Sequence, residues 1–100
     1  MRDDLPRMST IETLILDLLA EAREMYGLEL VEASKKRIKR GTVYVTLARM
    51  EQKGYVSSQQ EASGPGAIGL PRRMYRVTPL GARVREAWTL ARRMLAWEGV

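Results

Sequence analysis

Residues 41–56 read GTVYVTLARMEQKGYV, and this stretch decides the fold. Three apolar residues recur in it at the spacing of one helix face: Val43, Leu47 and Met50. Gly54 follows at the position where many helices end in a left-handed residue. The pattern predicts a helix over 41–53 that buries one face and turns sharply into the next element.

The opposite face of this helix carries only small or basic side chains. Its members are Thr42, Val45, Thr46, Arg49 and Lys53. Small side chains let a helix approach base edges closely, so this face suits a DNA major groove, although it is also compatible with plain solvent exposure. Tyr44 lies beside the core stripe, where its ring can pack in the core while its hydroxyl reaches a phosphate.

Two further helices are predicted upstream. Ser9 and Glu12 have capping-box spacing, and an apolar stripe follows them: Ile11, Leu14, Ile15, Leu18, Leu19 and Ala22. We expect a first helix over 10–24. A second helix is expected over 28–34, and its buried side is assigned to three apolar residues: Leu28, Leu30 and Val31.

Residues 35–40 read KKRIKR, five cations in six residues. Like charges at this density indicate a connector rather than one turn of a helix. A solvated turn and a phosphate-binding turn remain equally compatible with it. Lys39 and Arg40, next to the third helix, are the candidates for DNA contact.

A β-hairpin is predicted after the third helix. Residues 55–60 and 72–77 have the composition of strands, and the intervening 62–71 contains three glycines and two prolines. Arg72 and Arg73 flank this tip and are candidate phosphate contacts.

A last helix begins at Thr78-Pro79, an N-cap followed by proline at the first helical position, and runs to about Trp97. Its apolar stripe is wide for a small domain, so we expect part of it to bury against a second copy. The predicted dimer residues are Leu80, Val84, Trp88, Ala91 and Leu95. Trp88 and Trp97 are interpreted as dimer core, with contact to an effector as the alternative.

Composition limits the possible functions. The chain has 100 residues, enough for one domain, and contains neither cysteine nor histidine. Disulfides, Cys/His zinc sites and histidine acid–base chemistry are thereby excluded, and we predict no cofactor, no metal and no enzyme activity. Neither a secretory signal nor a membrane-spanning stretch is apparent, so a cytoplasmic location is expected.

Charge is divided unevenly along the chain. Its net value is +5, yet residues 1–34 carry −5 and residues 35–100 carry +10. A basic region indicates nucleic acid first and an anionic surface second. The acids Asp17, Glu21, Glu24 and Glu29 are expected on exposed helix surfaces without basic partners, which disfavours catalysis.

The order helix, helix, basic turn, helix, hairpin is that of a winged helix-turn-helix, a mainly α fold with a small β-hairpin. Three motifs also resemble the PadR family of bacterial transcriptional repressors, in its short-tailed form. They are Tyr26–Leu30, Gly41–Val56 and Arg72–Gly81. The resemblance covers about Ile15 to Arg83.

The resemblance implies a homodimeric repressor that acts on the bacterial nucleoid and binds a pseudo-palindromic operator. It further implies that a small aromatic effector can bind at the dimer interface. Residues 1–77 would form the DNA-binding part and 78–100 the dimerisation helix of one globular unit, with helix 41–53 in the major groove and the wing 55–77 on the backbone. The alternative is a winged-helix module that binds a protein or an anionic surface without sequence-specific DNA binding.

Overall fold

The computed structural model describes residues 5–61 and 72–98, apart from the side chains of residues 97 and 98. The wing tip predicted over 62–71 and the side chain of Trp97 therefore lie outside the described residues. Within them the chain forms four helices: α1 (Thr10–Ala22), α2 (Gly27–Ala33), α3 (Arg40–Gln52) and α4 (Pro79–Glu98). None of these helices is long and apolar enough to cross a bilayer.

Three short strands form one antiparallel sheet: β1 (Glu24–Tyr26), β2 (Val56–Gln60) and β3 (Arg73–Val77). Strand β3 lies in the middle and pairs with both neighbours, with Glu24 and Ser57 on either side of Arg76. The predicted hairpin is β2 and β3. Strand β1 is an addition, because three residues are too few to show a period and their partner strand is distant in sequence.

Helix α1 begins as predicted and ends earlier. Ser9 and Glu12 form a reciprocal capping box, with each side chain accepting a hydrogen bond from the other's backbone N–H. The helix ends at Ala22 rather than at Glu24, because Arg23 takes a positive φ of 74°, which interrupts the helical backbone. The chain can then continue as β1.

The core lies where α1, α2, α3 and the sheet meet, and it confirms the predicted stripe of α3. Its fully buried side chains are Ile15, Leu16, Leu19, Leu30, Ile38, Val43, Leu47, Met50 and Val56. Three expectations are wrong. Ala22 was placed in the apolar stripe of α1 and is exposed. Leu16 is buried although it lies outside the predicted stripe, since α1 contacts both the other helices and the sheet. Leu28 was expected to be buried and is 43% exposed.

The entry to α4 is fixed by a close approach to the end of α3. The Thr78 hydroxyl accepts from the Gly81 N–H at 3.0 Å, as its predicted N-cap position requires, and donates to the Gly54 carbonyl. Gly54 has φ of 84°, as expected of a glycine that ends a helix. A Cβ at Gly81 would lie 2.0 Å from the Tyr55 carbonyl oxygen, so only glycine fits there. The wing and α4 are thus joined at one rigid junction.

Candidate nucleic-acid interface

The solvent-facing side of α3 retains the small and basic character that the sequence predicts. Val45 is 59% exposed, Thr42 and Arg49 are exposed, and Thr46 is half-buried. Because Val45 is exposed, its side chain does not contribute to the core, which packs against the opposite side of α3. These four side chains form a single face that is available to a groove.

Tyr44 is placed so that its ring can pack against the protein while part of its side chain remains accessible to a phosphate. Its side chain is 49% exposed, and its ring lies against Gly27 so closely that an added Cβ would be 2.5 Å from a ring carbon. The ring is therefore held against the start of α2 while the rest of the side chain remains accessible. A side chain at position 27 would displace the Tyr44 ring from this place.

The cationic turn before α3 has a defined backbone. The Ser34 hydroxyl donates to the Val31 carbonyl at 2.8 Å and accepts from the Ile38 N–H at 2.9 Å, which closes the turn. Lys35 and Lys36 take positive φ values of 55° and 65°. Lys39 is the N-cap of α3 and makes no capping bond through its side chain. The Thr42 N–H donates to the Lys39 carbonyl at 3.1 Å, so among the described residues the N–H groups of Arg40 and Gly41 remain available to an anion. Lys39 and Arg40 are both exposed beside those groups.

Arg73 is connected to α3 through the sheet. Its Nε donates to Ser58 Oγ at 3.1 Å, and Ser58 Oγ donates to Glu51 Oε2 at 2.8 Å. Arg73 Nη1 also lies 3.5 Å from Gln60 Oε1. Glu51 is on α3, Ser58 and Gln60 are on β2, and Arg73 is on β3. No sequence pattern indicates this chain of contacts, because its three segments are joined only by the register of the sheet.

Arg72 is held differently, at the base of the wing. Its guanidinium carbon lies 4.2 Å from the centre of the Tyr26 ring, and its Nη2 is 3.5 Å from Glu61 Oε1. The Tyr26 hydroxyl donates to the other oxygen of Glu61, and this bond raises the pKa of Tyr26. Arg72 is still 66% exposed. Both wing arginines therefore have protein partners and accessible N–H groups at the same time.

Lys53 does not belong with the open face of α3, contrary to the sequence interpretation. Its ammonium lies 2.9 Å from Glu12 Oε2, and the Glu12 side chain is only 5% exposed. Burial alone raises the pKa of Glu12, but hydrogen bonds from the Ser9 backbone N–H and from Lys53 hold that pKa below its ordinary value of 4.5. Lys53 thus fixes the end of α3 to the start of α1. The capping-box spacing from Ser9 placed Glu12 correctly, but local spacing could not reveal a partner 41 residues away.

The acids that were expected to be without basic partners are in part paired. Asp17 accepts from Arg85 Nε at 2.8 Å, and Glu24 lies 2.5 Å from Arg76. Glu24 is in β1, not on a helix, and Glu29 accepts from the Tyr26 N–H at 2.8 Å. The contacts of Asp17 and Glu24 are structural ion pairs between neighbouring elements, and that of Glu29 caps the start of α2.

The predicted dimer residues divide along α4. Val84 is 6% exposed in the core of the single chain, and Trp88 packs against that core while its indole N–H donates to the Pro6 carbonyl at 2.8 Å. Leu80 is 40% exposed, Ala91 is half-buried and Leu95 is 70% exposed. Two further apolar residues join Leu95 on the exposed surface, Leu90 at 57% and Met94 at 56%. The uncovered apolar surface of α4 thus lies mainly in its second half.

Comparison with known proteins agrees with this geometry. The model of the transcriptional regulator PadR-like family matches residues 15–87. No curated protein matches the chain.

Solved structures give a similar result. The chain is similar to a PadR family transcription regulator from hypervirulent Clostridium difficile R20291, with 30% identity and a TM-score of 0.72 over 88% of this chain and 92% of that one. A PadR family transcriptional regulator from Eggerthella lenta DSM 2243 has 28% identity and a TM-score of 0.68 over 84% and 75%. A transcriptional regulator from Clostridium thermocellum has 27% identity and a TM-score of 0.62 over 90% and 96%.

Proposed function

This chain belongs to the transcriptional regulator PadR-like family, and from that premise we propose that it is a homodimeric repressor that binds double-stranded DNA sequence-specifically. Members of the family are transcriptional regulators, not enzymes. The finer proposal is that α3 enters the major groove of a pseudo-palindromic operator while the wing lies on the adjacent backbone.

The observation that carries this proposal is the exposed face of α3. Val45 offers a small apolar contact of the kind that recognises the thymine methyl group, and Arg49 can donate to a guanine edge. Thr42 and Thr46 complete the face, and their small side chains let the helix come close to the base edges.

The remaining candidates would position the protein on the duplex rather than read its sequence. Lys39 and Arg40 stand at the N-terminus of α3, where available N–H groups and positive charge favour phosphate. Tyr44 would add a hydroxyl contact, and Arg72 and Arg73 would neutralise phosphates beside the wing. A small aromatic effector at the dimer interface is the last part of the proposal.

The test compares base-reading variants on selected and scrambled DNA. A preferred duplex is first selected from a random pool, and competition assays then give the ratio of affinities for the two sequences. Arg49→Ala should cost about 1–3 kcal/mol on the selected duplex if the guanidinium reads a base. Val45→Ala should relax the preference at one thymine position while leaving thermal stability unchanged.

Arg83→Ala is the matched control, since it removes the same charge from an exposed position of α4. It should leave the ratio of affinities unchanged. If both α3 variants keep the wild-type ratio, α3 is not the reading element. If the wild-type protein shows no preference for any duplex, the protein- or surface-binding alternative replaces the proposed function.

A further inference from the structure

We propose that Ser58, together with Glu51, is a positioning residue that holds Arg73 for phosphate contact and fixes its place relative to α3. The inference rests on the proposed function and deepens it, since it names a residue pair that controls one of the candidate contacts. Neither residue would be singled out from the sequence, where both read as ordinary polar surface positions.

The geometry assigns the direction of each bond. Ser58 Oγ has one proton, which it donates to Glu51 Oε2, and its lone pairs accept from Arg73 Nε. The carboxylate therefore orients the hydroxyl so that an acceptor faces the guanidinium. Arg73 is held through Nε, on the inner edge of the guanidinium group.

Holding the guanidinium by Nε leaves its outer edge for a ligand. Nη1 has a long contact of 3.5 Å to Gln60, and Nη2 has no hydrogen-bond partner among the described residues. A free arginine loses side-chain entropy when it binds a phosphate, whereas one that is already ordered loses less. Pre-ordering is worth about 0.5–1.5 kcal/mol for a side chain of this kind, which corresponds to about a two- to tenfold change in affinity.

The chain of hydrogen bonds from Glu51 through Ser58 to Arg73, called the relay below, also fixes where the phosphate contact lies. Glu51 is in the last turn of α3, close to the end of the exposed face that contains Arg49. Tyr75 of β3 is buried in the core, and β2, which pairs with β3, contacts α3, so β3 cannot shift relative to α3 without disturbing the core. Arg73 is consequently held at a constant offset from the reading face, as a contact that sets register should be.

The neighbouring serine provides a matched control. Ser57 precedes Ser58 on β2, is exposed, and lies opposite Arg76 rather than Tyr75 in the register of β3. Its side chain therefore points to the other face of the sheet. Ser57→Ala removes the same hydroxyl from the same strand without touching the relay.

The first measurement needs no DNA. In the wild-type protein the Arg73 Nε–H should give a nuclear magnetic resonance signal protected from exchange with water, and Ser57→Ala should leave it unchanged. Ser58→Ala should lose that protection, and Ser58→Thr, which restores a hydroxyl, should recover it. Equal exchange in all four proteins would overturn the positioning role, whatever the DNA experiments show.

The second measurement is the salt dependence of binding to duplex DNA. Ser58→Ala should weaken binding about two- to tenfold per protomer on selected and scrambled duplexes alike, and Ser58→Thr should restore it. The slope of log K against log salt should become shallower by up to about 0.9 for each phosphate that the variant no longer neutralises. Ser57→Ala should match the wild type in both respects, with equal melting temperatures throughout.

The two proposals fail in different ways. If wild-type protein binds no duplex while Nε–H protection follows the pattern above, the proposed function is wrong and the relay is only structural. If wild-type protein binds DNA and Ser58→Ala binds equally well with the same slope, the inference is wrong and the proposed function stands. A reduction in affinity confined to the selected duplex would show that Arg73 reads a base, which also contradicts the proposal.

Discussion

The negative charge of Glu61 acts against the proposed binding of DNA phosphates by Arg72. It lies 3.5 Å from Arg72, a candidate phosphate contact, and it accepts from the Tyr26 hydroxyl. A carboxylate in this position neutralises part of the arginine charge and repels a phosphate that approaches it. The stacking on Tyr26, by contrast, orients Arg72 without reducing its charge.

We therefore expect Glu61→Gln to strengthen binding to duplex DNA of any sequence. The glutamine can still accept from Tyr26, so the change is mainly one of charge. An exposed ion pair is worth about 0.2–1 kcal/mol, which predicts an increase of about one and a half- to fivefold per protomer at low salt. Titrations by fluorescence anisotropy at several salt concentrations measure it. Glu21→Gln is the control, because it changes the net charge equally at an exposed position of α1. An equal effect of the two variants would disprove the local role of Glu61.

Individual residues also show where sequence information ends. The exposed face of α3 could be predicted because Val43, Leu47 and Met50 define the opposite side by periodicity alone. Lys53 shares the predicted exposed face by that same periodicity and is nevertheless engaged by Glu12. Periodicity indicates which side of its own helix a residue occupies. It does not indicate which residues of another helix contact that side.

At the scale of elements, the ion pair between Glu12 and Lys53 fixes α1 to α3 and makes stability depend on pH. The pKa of Glu12 is lowered in the folded protein, so its charged form stabilises the fold above the ordinary value of 4.5. That stabilisation is lost as pH falls from about 4.5 through the folded pKa.

Glu12→Gln should flatten the dependence of the free energy of unfolding on pH in this acidic window, because the group that titrates has been removed. At neutral pH, Lys53→Met should cost about 1–2 kcal/mol, since a nearly buried carboxylate loses a charged partner that is itself partly exposed. Chemical denaturation across the acidic to neutral range measures both, and Glu21→Gln is the control on α1. A pH profile of Glu12→Gln that coincides with the wild type would contradict the assignment.

The elements themselves differ in how readily the sequence reveals them. Helices α1 and α3 are long enough for their periods to repeat, and α4 has an unambiguous start at Thr78-Pro79. Strand β1 has three residues and exists because β3 offers it an edge, with Met25 opposite Tyr75. The prediction that Leu28 is buried failed for the same reason, because tertiary packing decides whether another element covers this residue of α2. Long-range pairing decides both cases.

At the scale of the whole molecule, the second half of α4 has an apolar surface that the single chain does not cover. Leu90, Met94 and Leu95 are each more than half exposed. The first half is different, because Val84 is in the core and Arg85 pairs with Asp17 of α1. One part of the helix thus anchors it to the chain, and the other part leaves apolar surface on which the proposed dimer would pack.

We expect sedimentation equilibrium at micromolar concentration to give twice the chain mass of 11.4 kDa. Leu95→Glu should shift the protein towards monomer, because a charge would be buried in a contact that is otherwise apolar. Leu28→Glu is the matched control, as it introduces the same charge at another exposed leucine, on α2. Only the α4 variant should dissociate, and its monomer should bind a single half-site weakly because the second α3 is no longer linked to the first. A wild-type monomer, or equal dissociation of both variants, would exclude α4 as the dimer surface and with it the expectation of a palindromic operator.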